Sequence, residues 1–144
     1  LRNSGLPPSL LELEVTEGTL MSNTEQAVAL LNEVRDLGIS VALDDFGTGF
    51  SSLSYLRDLP ISKVKLDRLF ISGISRNVKN AAIVQGVITM AHHLELSVVA
   101  EGIETKEEQV DLQQRHCNLL QGFYFSKPVP FDVLKYLPPI LTPL

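Results

Sequence analysis

Five short apolar runs in this chain each end near an acidic or amide side chain, and that repetition constrains the fold more than any other feature. The markers Glu17, Asp45, Asp67, Glu101 and Gln121 stand 28, 22, 34 and 20 residues apart. The first run, Leu10 to Thr16, sets Leu11, Leu13 and Val15 against Glu12, Glu14 and Thr16, the alternation of a half-buried strand. Ile39 to Asp45, Lys63 to Asp67, Ser97 to Ala100 and Leu119 to Phe125 read as four further strands. Helical spacing fills most of the intervals. Ser22 and Glu25 can form a capping box ahead of Ala27, Leu30, Leu31, Val34 and Leu37, with Gly38 as the stop. Ser51 to Arg57 reads as a short helix and Arg68 to Asn77 as a loop or short helical turn. Val78 to Leu94 carries an apolar stripe at Ile83, Val84, Val87, Ile88, Ala91 and Leu94. Thr105 with Glu108 is a second capping box, opening a helix to about Arg115, and Phe131 to Leu137 is a last short helix.

Strands alternating with helices belong to the α/β class with a parallel sheet. In an open doubly wound sheet the ligand site gathers at one switch point, whereas in a (β/α)₈ barrel every strand end faces the same mouth. A polar group at every strand end therefore predicts part of a TIM-type barrel, with about five βα units present. Such barrels run to about 250 residues, and 144 are here. The expectation is a single structural unit, about three of whose strands lie outside this sequence. The opening at Leu1, running through a Pro-containing loop straight into a strand, fits a segment of a longer polypeptide.

A formal charge of −5 without any Lys/Arg run argues against a nucleic-acid polymer or an anionic membrane as partner. An anionic substrate would need a metal to invert the local potential. The single cysteine, Cys117, forms no internal disulfide and suits a reducing compartment, so a cytoplasmic location is expected. No apolar stretch approaches the roughly 20 residues of a membrane span.

Chemistry concentrates in V-A-L-D-D-F-G-T-G, where an apolar strand ends in Asp44 and Asp45. Burying ionised carboxylates costs several kcal/mol unless something compensates them. Taken alone, one aspartate could simply cap the turn. With Glu14 and Glu101 at matching strand positions, a cluster of hard oxygen donors becomes the better reading, and it favours Mg²⁺, Mn²⁺ or Ca²⁺ over zinc. Adjacent aspartates point to opposite faces of a regular strand, so both reach one site only if the strand breaks, as Gly47 and Gly49 would permit, or if they serve two metals. Gly47-Thr48-Gly49 lacks the Lys-Ser/Thr of a P-loop and reads equally as a tight turn, although amides near Ser51 and Ser52 could receive a phosphate oxygen.

Lys65 and Asp67 share a strand face, so Lys65 is either a buried cation placed to orient water or stabilise phosphate charge, or half of a structural Lys-Asp pair. Lys63 has the same parity but sits at the strand's start and is expected to be solvated. Glu101 ranks above Glu104 for chemistry, since Glu104 can serve the next helix dipole. Gln121 could position a water or form a buried hydrogen bond. His92, His93 and His116 lack matching partners and read as surface or packing residues, Cys117 as core.

Together the stretches LELEVTE (Leu11 to Glu17), ALDDFGTGFSSLSYL (Ala42 to Leu56), KVKLDRLFI (Lys63 to Ile71), VVAEGIET (Val98 to Thr105) and QGFYFSKP (Gln121 to Pro128) resemble the EAL-domain family, the cyclic di-GMP phosphodiesterases of bacterial signalling. The resemblance implies a modified (β/α)₈ barrel that opens cyclic di-GMP to linear pGpG with Mg²⁺ or Mn²⁺. It makes residues 1–144 the C-terminal part of one EAL domain. It also implies that Glu14 and Asp44 help hold a first metal, and that Asp44, Asp45 and Glu101 hold a second. Lys65 would contact the attacking water and the phosphate, Glu101 would be a candidate general base, and Gln121 and Glu104 would support the site. Asp67 would help bind substrate, and Glu17 would anchor the loop Asp45 to Ser52. The family's Glu-Ala-Leu glutamate and a later asparagine ligand lie on early strands absent from this sequence. Two other outcomes are a receptor that binds cyclic di-GMP without cleaving it, and an inactive fragment. Unpaired strand edges predict self-association or a retained N-terminal piece. The parent protein could still be anchored in a membrane.

Overall fold

A computed structural model describes residues 3–21, 24–47 and 56–137. Five parallel strands form one sheet in the order β1-β2-β3-β4-β5: β1 (Glu12–Thr16), β2 (Ser40–Phe46), β3 (Lys63–Leu66), β4 (Ser97–Ala100) and β5 (Leu119–Leu120). Each strand lies beside its predecessor. An open nucleotide-binding sheet reverses direction at a switch point; this sheet has none, so its strand ends line up along one mouth, as in an arc of a barrel.

The connections are α1 (Glu17–Met21), α2 (Thr24–Asp36), α3 (Arg68–Ile71), α4 (Val78–His93) and α5 (Lys106–Gln114), with α6 (Phe131–Leu134) after β5. Parallel pairing sets residues of equal parity on one face. Val41, Leu43, Val64, Leu66, Val98 and Ala100 are buried on the helix side, where Leu31 of α2, Val84, Ile88 and Ala91 of α4 and Leu112 of α5 cover them. Each fully buried Val, Leu or Ile contributes about 1.5–3 kcal/mol. The opposite face carries Glu12, Glu14, Ala42, Asp44, Lys63 and Lys65. An apolar face under helices and a charged face away from them is the pattern that positions the site.

Several boundaries differ from the sequence reading. Helix α1 follows β1 directly, because Glu17 to Met21 is too short to display a helical apolar repeat. In the stripes, Leu30, Leu37 and Ile83 are exposed, and Leu31, Val84, Ile88 and Ala91 carry the packing. Gly38, at φ +84, does end α2, its N–H donating to the Arg35 carbonyl at 2.8 Å. The stretch Arg68 to Asn77 resolves into α3 and a 3₁₀ turn, Ile74–Arg76. The fifth strand stops at Leu120 instead of continuing to Phe125. Gln121 and Tyr124 turn back onto Ile103: the Ile103 N–H donates to the Gln121 carbonyl, and the Tyr124 N–H to the Ile103 carbonyl. Gly122 packs so tightly on the Ile103 backbone that a Cβ would overlap it. Ser22, Thr48 to Gly49 and Ser51 to Ser52 lie outside the described residues, as does most of the proposed Ser51 to Arg57 helix.

Candidate active site

Lys65 is the centre of the charged face. Its side chain is 7% exposed, and its ammonium meets Glu14 Oε1 at 2.6 Å, Glu101 Oε1 at 3.0 Å and Asp44 Oδ1 at 3.2 Å. Three N–H donors thus reach three carboxylates from three other strands or strand ends. Burial, the largest single influence, opposes the charge on Lys65, but hydrogen bonds to Glu14, Glu101 and Asp44 outweigh it and hold its pKa above the ordinary lysine value. Lys65 is therefore a fixed cation at neutral pH. Of the two sequence alternatives, the Lys65–Asp67 ion pair is not formed.

Register explains the convergence. Glu14 pairs with Ala42, Ala42 with Lys63, and Lys65 with Val99, so Glu14, Asp44 and Lys65 rise from one face. Glu101 follows β4, where its N–H donates to the Leu66 carbonyl at 3.1 Å and carries the ladder one residue further. Between Leu43 and Phe46, β2 has one residue more than β3 opposite it, which is a β-bulge. The break expected at the glycines is at Asp45 itself, whose φ is 54 and whose N–H donates to Asp44 Oδ1 at 3.0 Å. A left-handed non-glycine residue costs energy and clusters at functional sites. Gly47, at φ +93, lets the chain pass Phe70, whose ring would stand 2.9 Å from a Cβ there.

The loop after β4 is clamped twice. Arg68 Nη2 contacts Glu104 Oε1 at 2.9 Å, while the Arg68 stem lies against Gly102, where a Cβ would come within 2.6 Å of it. Beneath, buried Glu108 accepts the N–H groups of Gly73 at 2.9 Å, Glu104 at 3.0 Å and Thr105 at 3.1 Å. The capping box with Thr105 is present as read. Glu104 therefore faces Arg68, and Asp67 caps α3, its Oδ1 accepting the Leu69 N–H at 2.7 Å. Glu17 is buried at the start of α1, but residues 48–52 of the loop it is expected to anchor lie outside the described part. The exposed Gln121 lines a surface groove of about 410 Å³ with Gly122, Phe123 and Lys127. Lys63, expected to be solvated, is half-buried and paired with Glu12 at 2.6 Å. Sequence reasoning missed Glu12, Arg68 and the second role of Glu108; only Glu12, sharing the parity of Glu14, carried a signal. Cys117 is half-buried, and His92 bonds Asn118 Oδ1 through Nε2 at 2.9 Å.

Three carboxylates around one ammonium leave a formal local charge of −2. Among the described residues no three acidic, imidazole or thiol groups close around a common point as an ion's shell; the carboxylates surround the Lys65 ammonium. The donor set still fits a hard divalent cation, being all carboxylate oxygen, anionic in excess and already gathered about a positive charge.

The chain is similar in sequence and fold to known proteins. The EAL domain family model matches residues 1–128. The cyclic di-GMP phosphodiesterase NbdA of Pseudomonas aeruginosa is 48% identical over 135 residues, covering 94% of this chain and 17% of its own length. The structure of the PaMucR phosphodiesterase in complex with c-di-GMP superposes with a TM-score of 0.88 at 42% identity, over 93% of this chain and 54% of that one. Klebsiella pneumoniae BlrP1, in a manganese and cyclic di-GMP complex, gives a TM-score of 0.83 at 38% identity, over 89% of this chain and 33% of that one. The chain thus spans about a sixth of the curated relative's length and about half of the PaMucR chain. With the family model matched over most of its length and its parallel sheet shared with these barrel-like structures, the chain belongs to the EAL-domain family.

Proposed function

We propose that this chain is the C-terminal part of a single EAL domain that hydrolyses cyclic di-GMP to linear pGpG with Mg²⁺ or Mn²⁺. The observation that carries the reading is the convergence of Glu14, Asp44 and Glu101 on buried Lys65. Glu14, Asp44, Asp45 and Glu101 would hold the metal ions. When bound, two such ions lower the pKa of a water and neutralise the phosphodiester. Lys65 would contact the attacking water and the phosphate and stabilise the charge that develops there. Glu101 would take the proton of the attacking water. The water oxygen would bond to phosphorus as the P–O3′ bond breaks, and the ribose 3′-oxygen would leave as a hydroxyl, taking its proton from solvent. Asp67, Gln121 and Glu104 would border the substrate, and Glu17 would anchor the loop from Asp45 to Ser52.

The rest of the domain would supply the strands beside β1 and β5, each of which has a single neighbour among the described residues; self-association is the other way to cover those edges. No described helix is long and apolar enough to cross a membrane, and the reading places the domain in the cytoplasm. The test is Mn²⁺-dependent formation of pGpG by this chain alone and by the chain joined to the preceding part of its domain. Turnover in the joined protein supports the reading; bound but uncleaved nucleotide in the joined protein would refute it and make the domain a receptor.

A further inference from the structure

Beneath the Lys65 cluster lies a second charged crosspiece that the proposed chemistry does not use. Lys63 Nζ meets Glu12 Oε2 at 2.6 Å, with the two side chains 21% and 31% exposed. It repeats the geometry above it: Lys65 of β3 reaches Glu14 of β1, and Lys63 of β3 reaches Glu12 of β1, each passing over β2. Ala42, fully buried between them in register with both Glu14 and Lys63, offers only a methyl group, so the lysine stem has room to cross. Interior barrel layers are built by alternate strands and are usually filled with branched apolar residues. An ion pair there carries a desolvation cost that apolar packing avoids.

The need it answers is at Glu14. That side chain is 49% exposed and sits on β1, which has β2 as its only sheet neighbour among the described residues. Two lysines on one strand face, two residues and so about 7 Å apart, could both draw Glu14 toward themselves. Glu12 engages the lower one, and Glu14 is left to the upper site. We infer that Glu12 and Lys63 are a positioning pair that fixes the placement of Glu14 as a metal-binding carboxylate. The inference rests on the proposed reading of Glu14 as a ligand.

The test measures binding of Mn²⁺ alone, by the loss of the free-ion paramagnetic resonance signal, with thermal midpoints recorded on the same samples. Glu12→Gln, which frees Lys63 to draw Glu14 away from the upper site, is expected to weaken Mn²⁺ binding about tenfold, as the loss of partners outside the ligand shell does. Lys63→Met, which removes the competing ammonium, should bind near wild type, and adding it to Glu12→Gln should recover most of the affinity. Glu14→Gln is the comparator and should lose the site. If Glu14→Gln abolishes binding while folded Glu12→Gln binds as wild type, the pair is only structural and the inference is overturned. A folded double variant that binds no better than Glu12→Gln overturns it too. If Glu14→Gln itself binds Mn²⁺ normally, the metal reading fails, and the inference with it.

Discussion

Replacing Glu108 by Gln tests whether the loop carrying Glu101 is held by one buried carboxylate. Oε1 accepts the Gly73 N–H and Oε2 those of Glu104 and Thr105. A glutamine keeps one carbonyl oxygen, so either one or two of these donors would face an amide NH₂. Each hydrogen bond to a charged group is worth about 1.5–3 kcal/mol, and the expected loss is about 2–4 kcal/mol. At roughly 2–4 °C per kcal/mol for a chain of this size, Tm at pH 7 should fall by roughly 4–16 °C. Burial, the largest influence, works against the Glu108 charge, but the backbone N–H groups of Glu104, Gly73 and Thr105 and the Thr105 hydroxyl prevail and hold its pKa below the ordinary 4.5. A depressed carboxylate stabilises the fold above its unfolded pKa and loses that contribution as the pH falls through the folded value. The difference between wild type and variant should hold from pH 7 to about 5 and narrow below 4.5. Thermal unfolding followed by circular dichroism over that range is the assay, with the exposed neighbour Glu107→Gln as control. A Tm within about 2 °C of wild type at pH 7, or a difference indifferent to acid, would refute the reasoning.

Other expectations follow from the same contacts. Gly122→Ala places a methyl inside the Ile103 backbone and should cost about 3 kcal/mol or leave the chain unfolded, read by urea denaturation. Asp67→Ala removes the α3 cap and should cost about 1 kcal/mol, whereas Asp67→Asn should keep stability and reduce cyclic di-GMP affinity in equilibrium dialysis; an unchanged affinity would leave Asp67 as a cap alone. Lys65→Met strips the ammonium from three carboxylates and should destabilise the metal-free protein by about 3–5 kcal/mol. Mn²⁺ at about 100 times its Kd should return about 2.7 kcal/mol of that in calorimetric melts.

Parity within a strand was legible in the sequence, and register between strands was not. The pattern L-E-L-E-V-T and the apolar runs before Asp44 and Glu101 were enough to place the carboxylates at strand ends on one side of a parallel sheet. Which of them meet Lys65 depends on pairing across 51 positions for Glu14 and 36 for Glu101, which no local pattern records. The same limit made Lys63 look solvated, since Glu12 is equally remote in sequence. Backbone strain was hidden for another reason: the break sits on Asp45, an L-residue, whereas glycine is the residue that advertises positive φ. The aromatic run Phe123 to Phe125 imitates a strand by composition, and it is the close approach of Gly122 to Ile103 that turns it aside. Capping chemistry is local, so the Thr105–Glu108 box was readable, while the bond from Glu108 to Gly73 was not.

The most direct test of the account is the steady-state rate of cyclic di-GMP hydrolysis to pGpG at saturating Mn²⁺, comparing the domain carrying Asp44 with its Asp44→Asn variant, circular dichroism confirming that both are folded. Asp44 stands between the Lys65 ammonium and the strained amide of Asp45, so the expected result is metal-dependent pGpG from the first and none above background from the second. Equal rates from the two folded proteins would contradict the claim that these carboxylates form a metal-dependent phosphodiesterase site.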